Sequence, residues 1–190
     1  LDAATARSAD TGNDVVTNIE NVVTGSGDDT VTGSDDANVI DTGAGNDTVT
    51  AAAGADAIDA GTGDDTIVAE AGDGDDIIDG GEGTDTLDMS AIDADVTVDL
   101  DAATARSADT GNDVVTNVEN VVTGSGDDTI VANDAVNEFS GGTGNDVFVF
   151  TSSYAAGNGD GSRDRILDFD VGDRIDIDEI SRELDRKSVV

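Results

Sequence analysis

The sequence predicts an all-β fold, a parallel β-roll in which short strands and tight glycine turns alternate along a solenoid. Two observations support this prediction. A nine-residue pattern rich in Gly and Asp recurs along most of the chain, and a fixed short period is typical of repeat architectures. Each clear unit ends in Thr, Val, Ile, Leu or Phe, residues that favour strands when one face is buried.

The composition restricts the chemistry open to the chain. Its 190 residues include 44 acidic and 8 basic side chains, a net charge of -36, and no His, Cys, Pro or Trp. Disulfides, the usual zinc sites, a Ser-His-Asp triad and a cysteine nucleophile are therefore excluded. The charge also argues against nucleic acid as a partner. No apolar run approaches the roughly 18 residues of a membrane span, and the first ten residues lack the pattern of a secretory signal.

The repeat units follow one another in nearly continuous register. The clearest are residues 25–31, 43–49 and 61–67, each 18 residues from the next, with weaker units at 34–40 and 52–58 between them. After a two-residue insertion near residues 69–70, the period resumes at 72–78 and 80–87, and again at 124–130, 133–139 and 141–148. This pattern resembles the nonapeptide of the RTX (haemolysin-type calcium-binding) family, which is known as a calcium-binding β-helix repeat.

The resemblance implies a right-handed β-solenoid that belongs to the C-terminal region of a larger bacterial protein. It also implies export by type I secretion machinery, with a chain that is unfolded in the low-calcium cytoplasm and folds outside the cell. The expected location is therefore extracellular or at the bacterial cell surface. The absence of Cys and the charge of -36 agree with such a history.

The same pattern can be interpreted physically. Gly permits the positive φ angles of a tight turn, and the three residues that follow can form a short strand. Two units then make an 18-residue coil, and coils stack at about 4.7–4.9 Å. The last Asp of each turn would lie above its counterpart, and each such pair repels by roughly 3–4 kcal/mol at an effective dielectric constant near 20. Calcium fits this arrangement because it takes 6–8 oxygen ligands from carboxylates and backbone carbonyls, and it fits better than magnesium.

The turns differ in quality, which predicts different sites. Three well-occupied sites are expected on one edge, between Asp29, Asp47, Asp65 and Asp85. On the opposite edge we expect a weak or empty site between residues 38 and 56 and an intermediate one between 56 and 76. A site between 128 and 146 follows, and we expect Asp164, with Asp160, to extend that row. The predicted metal-site residues are Gly25, Gly27, Asp29, Gly43, Gly45, Asp47, Asp56, Gly61, Gly63, Asp65, Gly72, Gly74, Asp76, Gly81, Gly83, Asp85, Gly124, Gly126, Asp128, Gly142, Gly144, Asp146, Asp160 and Asp164.

We predict five segments. Residues 1–23 form a β-rich flank that duplicates 100–122, since 1–31 and 100–130 match at an offset of 99 with two differences, and we interpret the chain as an excised fragment. Residues 24–88 form β-roll block one, 89–122 a β spacer, 123–150 block two and 151–190 a C-terminal cap. In the spacer, Asp109, Asp113 and Glu119 are expected to be solvated acidic loop residues in preference to metal ligands.

The function that these features favour is a non-catalytic calcium-binding module that supports the secretion and stability of a larger extracellular protein. The alternative is an adhesin or polysaccharide-binding solenoid stabilised by calcium, in which a regular face of Thr, such as Thr48, Thr50 and Thr66, contacts the ligand. Catalysis by paired Asp residues is disfavoured because the nine-residue period already accounts for nearly all of them. The segment 158–169 resembles an EF-hand loop only superficially, because Phe169 stands where the bidentate Glu is needed.

Overall fold

The computed structural model describes residues 5–7, 14–150 and 163–177, with the backbone alone for 5–7. Every regular element in these ranges is a β-strand, most of them three residues long. The strands are β1 (Thr5–Arg7), β2 (Val15–Thr17), β3 (Asn21–Ser26), β4 (Thr30–Thr32), β5 (Val39–Ala44), β6 (Thr48–Thr50), β7 (Ala57–Asp59), β8 (Thr66–Val68), β9 (Ile77–Asp79), β10 (Thr86–Asp88), β11 (Val96–Asp99), β12 (Thr104–Ser107), β13 (Gly111–Thr116), β14 (Asn120–Val122), β15 (Thr129–Val131), β16 (Glu138–Ser140), β17 (Val147–Val149), β18 (Arg165–Ile166) and β19 (Arg174–Asp176).

The strands alternate between two sheets, as expected for a β-roll. Sheet A has eleven strands in the order β1-β3-β5-β7-β9-β13-β12-β11-β15-β17-β19, and sheet B has eight in the order β18-β16-β14-β10-β8-β6-β4-β2. Pairing between neighbouring coils is parallel and in register, so that Thr30, Thr48 and Thr66 lie side by side in sheet B. The predicted parallel β-roll is confirmed.

The middle residue of each short strand faces the core between the sheets. Val31, Val49 and Ile67 in sheet B and Ile40 and Ile58 in sheet A are all at most 3 % exposed. Their two neighbours in each strand face outward. Each of these strands thus sends one large apolar side chain into the core, and in several units a residue just after the strand, such as Ala51 or Ala60, is buried with it. This alternation is what a period of two residues produces in a strand with one buried face.

The predicted spacer is part of the roll. Strands β11, β12 and β13 form an antiparallel meander within sheet A, while β13 also pairs in parallel with β9 and β11 with β15. In sheet B the strands before and after it, β10 and β14, are direct neighbours. The meander covers the core with Val98 and Ala105, both fully buried. Within the segment 89–122, strands β11, β12 and β13 therefore continue sheet A, and β14 continues sheet B.

The phenylalanine side chains lie in the second half of the roll. Phe139 and Phe148 are fully buried, and Phe150 packs on Phe139 with ring centroids 6.2 Å apart. Phe169 contacts Phe148 at 6.3 Å between centroids but is itself half-exposed. The predicted cap falls largely on residues 151–162 and 178–190, which lie outside the described residues.

Candidate metal-binding sites

The turns between strands stack in two rows. Row B contains the turns that lead into sheet B, and row A those that lead into sheet A. Each turn ends in a residue whose side chain enters the row, directly before the strand in most turns and within β13 in the case of Asp113. The end residues of row B are Asp14, Asp29, Asp47, Asp65, Asp85, Glu119, Asn137 and Asp164, and those of row A are Asn38, Asp56, Asp76, Asp113, Asp128, Asp146 and Asp173.

A hydrogen bond joins each pair of stacked aspartates along the predicted edge of block one. The backbone N–H of Asp29 donates to Oδ1 of Asp47 at 2.7 Å, that of Asp47 to Asp65 at 2.7 Å, and that of Asp65 to Asp85 at 2.8 Å. These side chains are at most 2 % exposed. The structure therefore brings together the four aspartates that the sequence placed on one edge.

The second carboxylate oxygen of these residues is buried and has no partner. Among the described residues this holds for Oδ2 of Asp29, Asp47, Asp65 and Asp85, and also of Asp56, Asp128 and Asp164. A buried carboxylate oxygen without a hydrogen bond is costly. A cation bound between successive turns would supply the missing partner.

The glycines allow successive turns to approach closely. Gly43, Gly61 and Gly81 all have positive φ, and a Cβ added to each would lie 2.0–2.2 Å from the carbonyl oxygen of the glycine one coil earlier. Backbone carbonyls of one turn are thus packed directly against the next turn. Gly124 and Gly126 differ, since neither is among the glycines with positive φ and their turn lies on the non-glycine loop around Ile92 and Asp95.

Burial makes several carboxylates of the rows easier to protonate. The pKa of Asp65 and that of Asp85 rise from 3.8 to about 6, chiefly because burial disfavours the charged form. The hydrogen bond from the preceding backbone N–H partly offsets this effect, and neighbouring carboxylates add to it. In row A, Asp76 and Asp146 also shift to about 6 for the same main reason. A divalent cation would compete with these protons and restore the charged form.

The side chains fit calcium in combination with the backbone. In the described part of the chain no three acidic side chains form a ready-made metal cluster, so stacked carboxylate pairs alone do not complete a site. Calcium accepts such mixed sets because it binds carboxylate and carbonyl oxygens in flexible geometry. Asp47, Asp65 and the carbonyls of their glycine turns are such a set.

In the row A turn that ends at Asn38, an amide already occupies the carbonyls. Nδ2 of Asn38 donates to the carbonyl of Ser34 at 3.2 Å and also to that of Asp36. The amide hydrogens therefore occupy carbonyls that would otherwise face a cation. This supports, without testing, the prediction of a weak or empty site between residues 38 and 56. Asn137 in row B behaves alike, since its amide donates to the carbonyl of Glu119 at 2.8 Å.

One predicted row is wrong. Asp164 does not follow Asp146, because the backbone N–H of Asn137 donates to Oδ1 of Asp164 at 3.0 Å, which places Asp164 in row B. The residue after Asp146 in row A is Asp173, which accepts from its backbone N–H at 3.1 Å. Counting 18 residues fails here because the chain between β17 and β18 is longer than one repeat. Asp160 lies outside the described residues.

Asp113 belongs to row A, contrary to the prediction from the sequence. It was expected in a solvated loop, but it is 4 % exposed and its Oδ1 accepts the backbone N–H of Asp76 at 3.0 Å. A sequence signal was present, because Thr-Gly-Asn-Asp at residues 110–113 is identical to 143–146 in block two. Glu119 is likewise in a row rather than in a free loop, since it accepts the backbone N–H of Asp85 at 2.9 Å.

Comparison with protein families agrees with this geometry. The model of the RTX calcium-binding nonapeptide repeat (4 copies) matches residues 18–49, 32–67 and 50–87. The turn rows therefore belong to a class of calcium-binding repeat that takes up several Ca²⁺ ions. The family model described as Peptidase M10 serralysin C terminal matches residues 77–190, more than half of the chain. The chain belongs to this serralysin C-terminal family.

Both matches describe repeats and a C-terminal region rather than a catalytic domain. No curated protein matches the chain. Within the residues that the structure describes, no helix is long and apolar enough to cross a membrane.

Proposed function

We propose that this chain is a calcium-dependent folding module of a larger secreted protein. It stays expanded while calcium is scarce, becomes a compact β-roll when calcium fills the turn rows outside the cell, and thereby supports the export and stability of the protein that carries it. The observation that carries the proposal is the row of buried aspartates, each with one carboxylate oxygen left without a partner.

The electrostatics explain why folding would depend on the ion. Asp29, Asp47, Asp65 and Asp85 form a stack of like charges in a region that excludes water, and among the described residues the ion pair that forms is the exposed one between Arg165 and Glu138. Without calcium, the stack must either repel or take up protons. Because the complete site exists only in the folded chain, binding and folding are one equilibrium.

The compartment follows from the affinity expected for such sites. Extracellular calcium modules bind with constants of about 10⁻⁴–10⁻³ M, so the low calcium of a bacterial cytoplasm would leave the sites empty. A chain with a net charge of -36 then resists collapse. This suits passage through type I secretion machinery in an unfolded state and folding after export.

The test is a calcium titration of the chain, followed by far-UV circular dichroism and hydrodynamic radius, with magnesium as the control ion. We expect calcium alone to produce a compact β signal, with a midpoint in the high-micromolar to millimolar range. A chain that is already compact in chelator, or that stays expanded in excess calcium, would contradict the proposal.

A matched pair of variants assigns the effect to row B. In Asp65→Asn the buried carboxylate loses its charge, and we expect fewer bound ions and a higher calcium midpoint. In Asp64→Asn the neighbouring exposed side chain keeps its Oδ1 acceptor for the backbone N–H of Thr84, and Asn46 already occupies that position one coil earlier. Asp64→Asn should therefore bind calcium as the unchanged chain does. Equal effects of the two substitutions would indicate a general charge effect.

A second candidate function is binding to a polysaccharide or a cell surface, and one feature of sheet B favours it. Thr30, Thr48, Thr66 and Thr86 form a continuous ladder in register on its outer face. Regularly spaced hydroxyls can donate to and accept from sugar hydroxyls. A pull-down on alginate and on whole cells, with and without calcium, tests this candidate. Retention that requires calcium and is lost in Thr48→Val would support it, and no retention would count against it.

A further inference from the structure

The spacer contributes a turn that stacks on block one. The backbone N–H of Gly72 donates to the carbonyl of Asp109 at 2.7 Å, and that of Gly74 to the carbonyl of Thr110 at 3.2 Å. The backbone N–H of Asp76 then donates to Oδ1 of Asp113 at 3.0 Å, across 37 residues of sequence. Turns 72–76 and 109–113, which both belong to row A, are therefore paired in the same way as the nonapeptide turns of row B.

These two turns enclose an unusual amount of negative charge. Asp73, Asp76 and Asp113 are each at most 5 % exposed, and their charges lie close enough to influence one another. No Lys or Arg in the described part of the chain forms a salt bridge with them. Asp73 is engaged by the backbone, since it accepts the N–H of Glu70 at 3.1 Å and that of Gly74 at 3.0 Å. Asp73 therefore lines this region, whereas Asp76 and Asp113 form the stacked pair.

Thr110 gives an independent indication of a ligand. Its side chain is 1 % exposed, and its hydroxyl has no hydrogen-bond partner. Thr143, at the same position of the identical Thr-Gly-Asn-Asp sequence, is exposed to water. The hydrogen bond from Gly74 holds Thr110 against turn 72–76. A buried hydroxyl without a partner is costly, and a hydroxyl oxygen is an acceptable ligand for a hard cation.

We propose that turns 72–76 and 109–113 bind a further Ca²⁺ ion, with carboxylate oxygens from Asp76 and Asp113, the hydroxyl of Thr110, and backbone carbonyls of the two turns. This inference rests on the proposed calcium-dependent function and extends it to the spacer. The ion would tie the meander of β11, β12 and β13 to block one, because Asp113 belongs to β13 and Asp76 to the turn before β9. The order of the meander thereby depends on calcium.

The experiment compares the unchanged chain with Asp113→Asn and Asp75→Asn, measuring bound calcium by equilibrium dialysis and metal analysis. Asp75 is the control because it is exposed in the same turn, its Oδ1 accepts the backbone N–H of Asn112 at 2.8 Å, and Asn retains that acceptor. We expect Asp113→Asn to lose one ion and hydrogen-exchange protection at residues 111–116. Asp75→Asn should keep both. If all three proteins bind the same number of ions, the inference is wrong.

If Asp113→Asn fails to fold, Thr110→Val tests the same site. Val matches the shape of Thr and removes the hydroxyl alone. A hydroxyl that binds the ion predicts a several-fold weaker site. A hydroxyl that is merely unsatisfied predicts unchanged calcium binding, which would overturn the inference. If the unchanged chain binds no calcium at all, the proposed function itself fails, and that outcome is distinct from a spacer site that is absent.

Discussion

Replacing Gly61 by Ala should destabilise the calcium-saturated roll much more than replacing Gly72 by Ala. The two glycines have nearly the same backbone, with φ of +93° and +88°, so each Ala suffers the same strain of about 1–2 kcal/mol from a left-handed conformation. They differ in the space that is available to an added Cβ. A Cβ at position 61 would lie 2.1 Å from the carbonyl oxygen of Gly43, whereas one at position 72 meets nothing within 4 Å.

The magnitude of the difference follows from that contact. The Gly43 carbonyl is fixed because it accepts the backbone N–H of Thr62 at 2.9 Å. Displacing it costs about 1–3 kcal/mol for overpacking and about 0.5–1.5 kcal/mol for the weakened hydrogen bond. Gly61→Ala should therefore lose about 1.5–4.5 kcal/mol more than Gly72→Ala.

The assay is denaturant unfolding at saturating calcium, fitted by linear extrapolation. It measures the free energy of unfolding of both variants and of the unchanged chain. If the two variants lose equal stability, the conformational demand of the turn alone selects glycine, and the close approach of coils is not the cause. That result would refute the explanation given for the glycine rows.

Three further predictions concern pH, the core and a surface ion pair. In chelator, the pKa values of Asp65 and Asp85, raised from 3.8 to about 6, mean that the folded chain binds more protons than the unfolded chain. Compactness should therefore increase as pH falls from 7.5 toward 4.5 and be lost as pH rises through 6; a size-exclusion series in which acid expands the chain would contradict this. Phe148→Ala should cost about 3–5 kcal/mol in denaturant unfolding because the ring is fully buried, and a loss below about 1 kcal/mol would show that the second half of the roll is loosely packed. Arg165→Gln should cost less than about 1 kcal/mol, and less still at high salt, because the pair with Glu138 is exposed and therefore screened; a larger loss would mean that the pair anchors β18.

The sequence was sufficient for features that depend on local spacing. Gly43, Asp47 and Val49 each have a fixed place in the nine-residue unit. The structure puts Gly43 at a close contact between coils, Asp47 in row B and Val49 in the core. Because coils repeat every 18 residues, one correct unit determines its neighbours. The two sheets and the edge of block one could therefore be predicted without knowledge of distant contacts.

It was insufficient where the chain leaves the period. Asp164 keeps the spacing of 18 from Asp146, but a longer connection moves it to the other row. Asp113 lies 37 residues from its partner Asp76, and nothing in the local pattern indicates which coil it joins. Pairing across an insertion is set by which strands meet in space, so spacing alone cannot assign it.

The meander makes the two sides of the roll unequal in length. Between β9 and β15, sheet A contains three strands where sheet B, between β10 and β16, contains only β14. Two additional strands at about 4.8 Å each lengthen one side by nearly 10 Å, and a solenoid that is longer on one side must curve toward the other. Met89 and Ile92, both fully buried, lie in the connection between β10 and β11 where the meander begins. A protein assembled from such units would therefore be a rod with a fixed bend at each spacer.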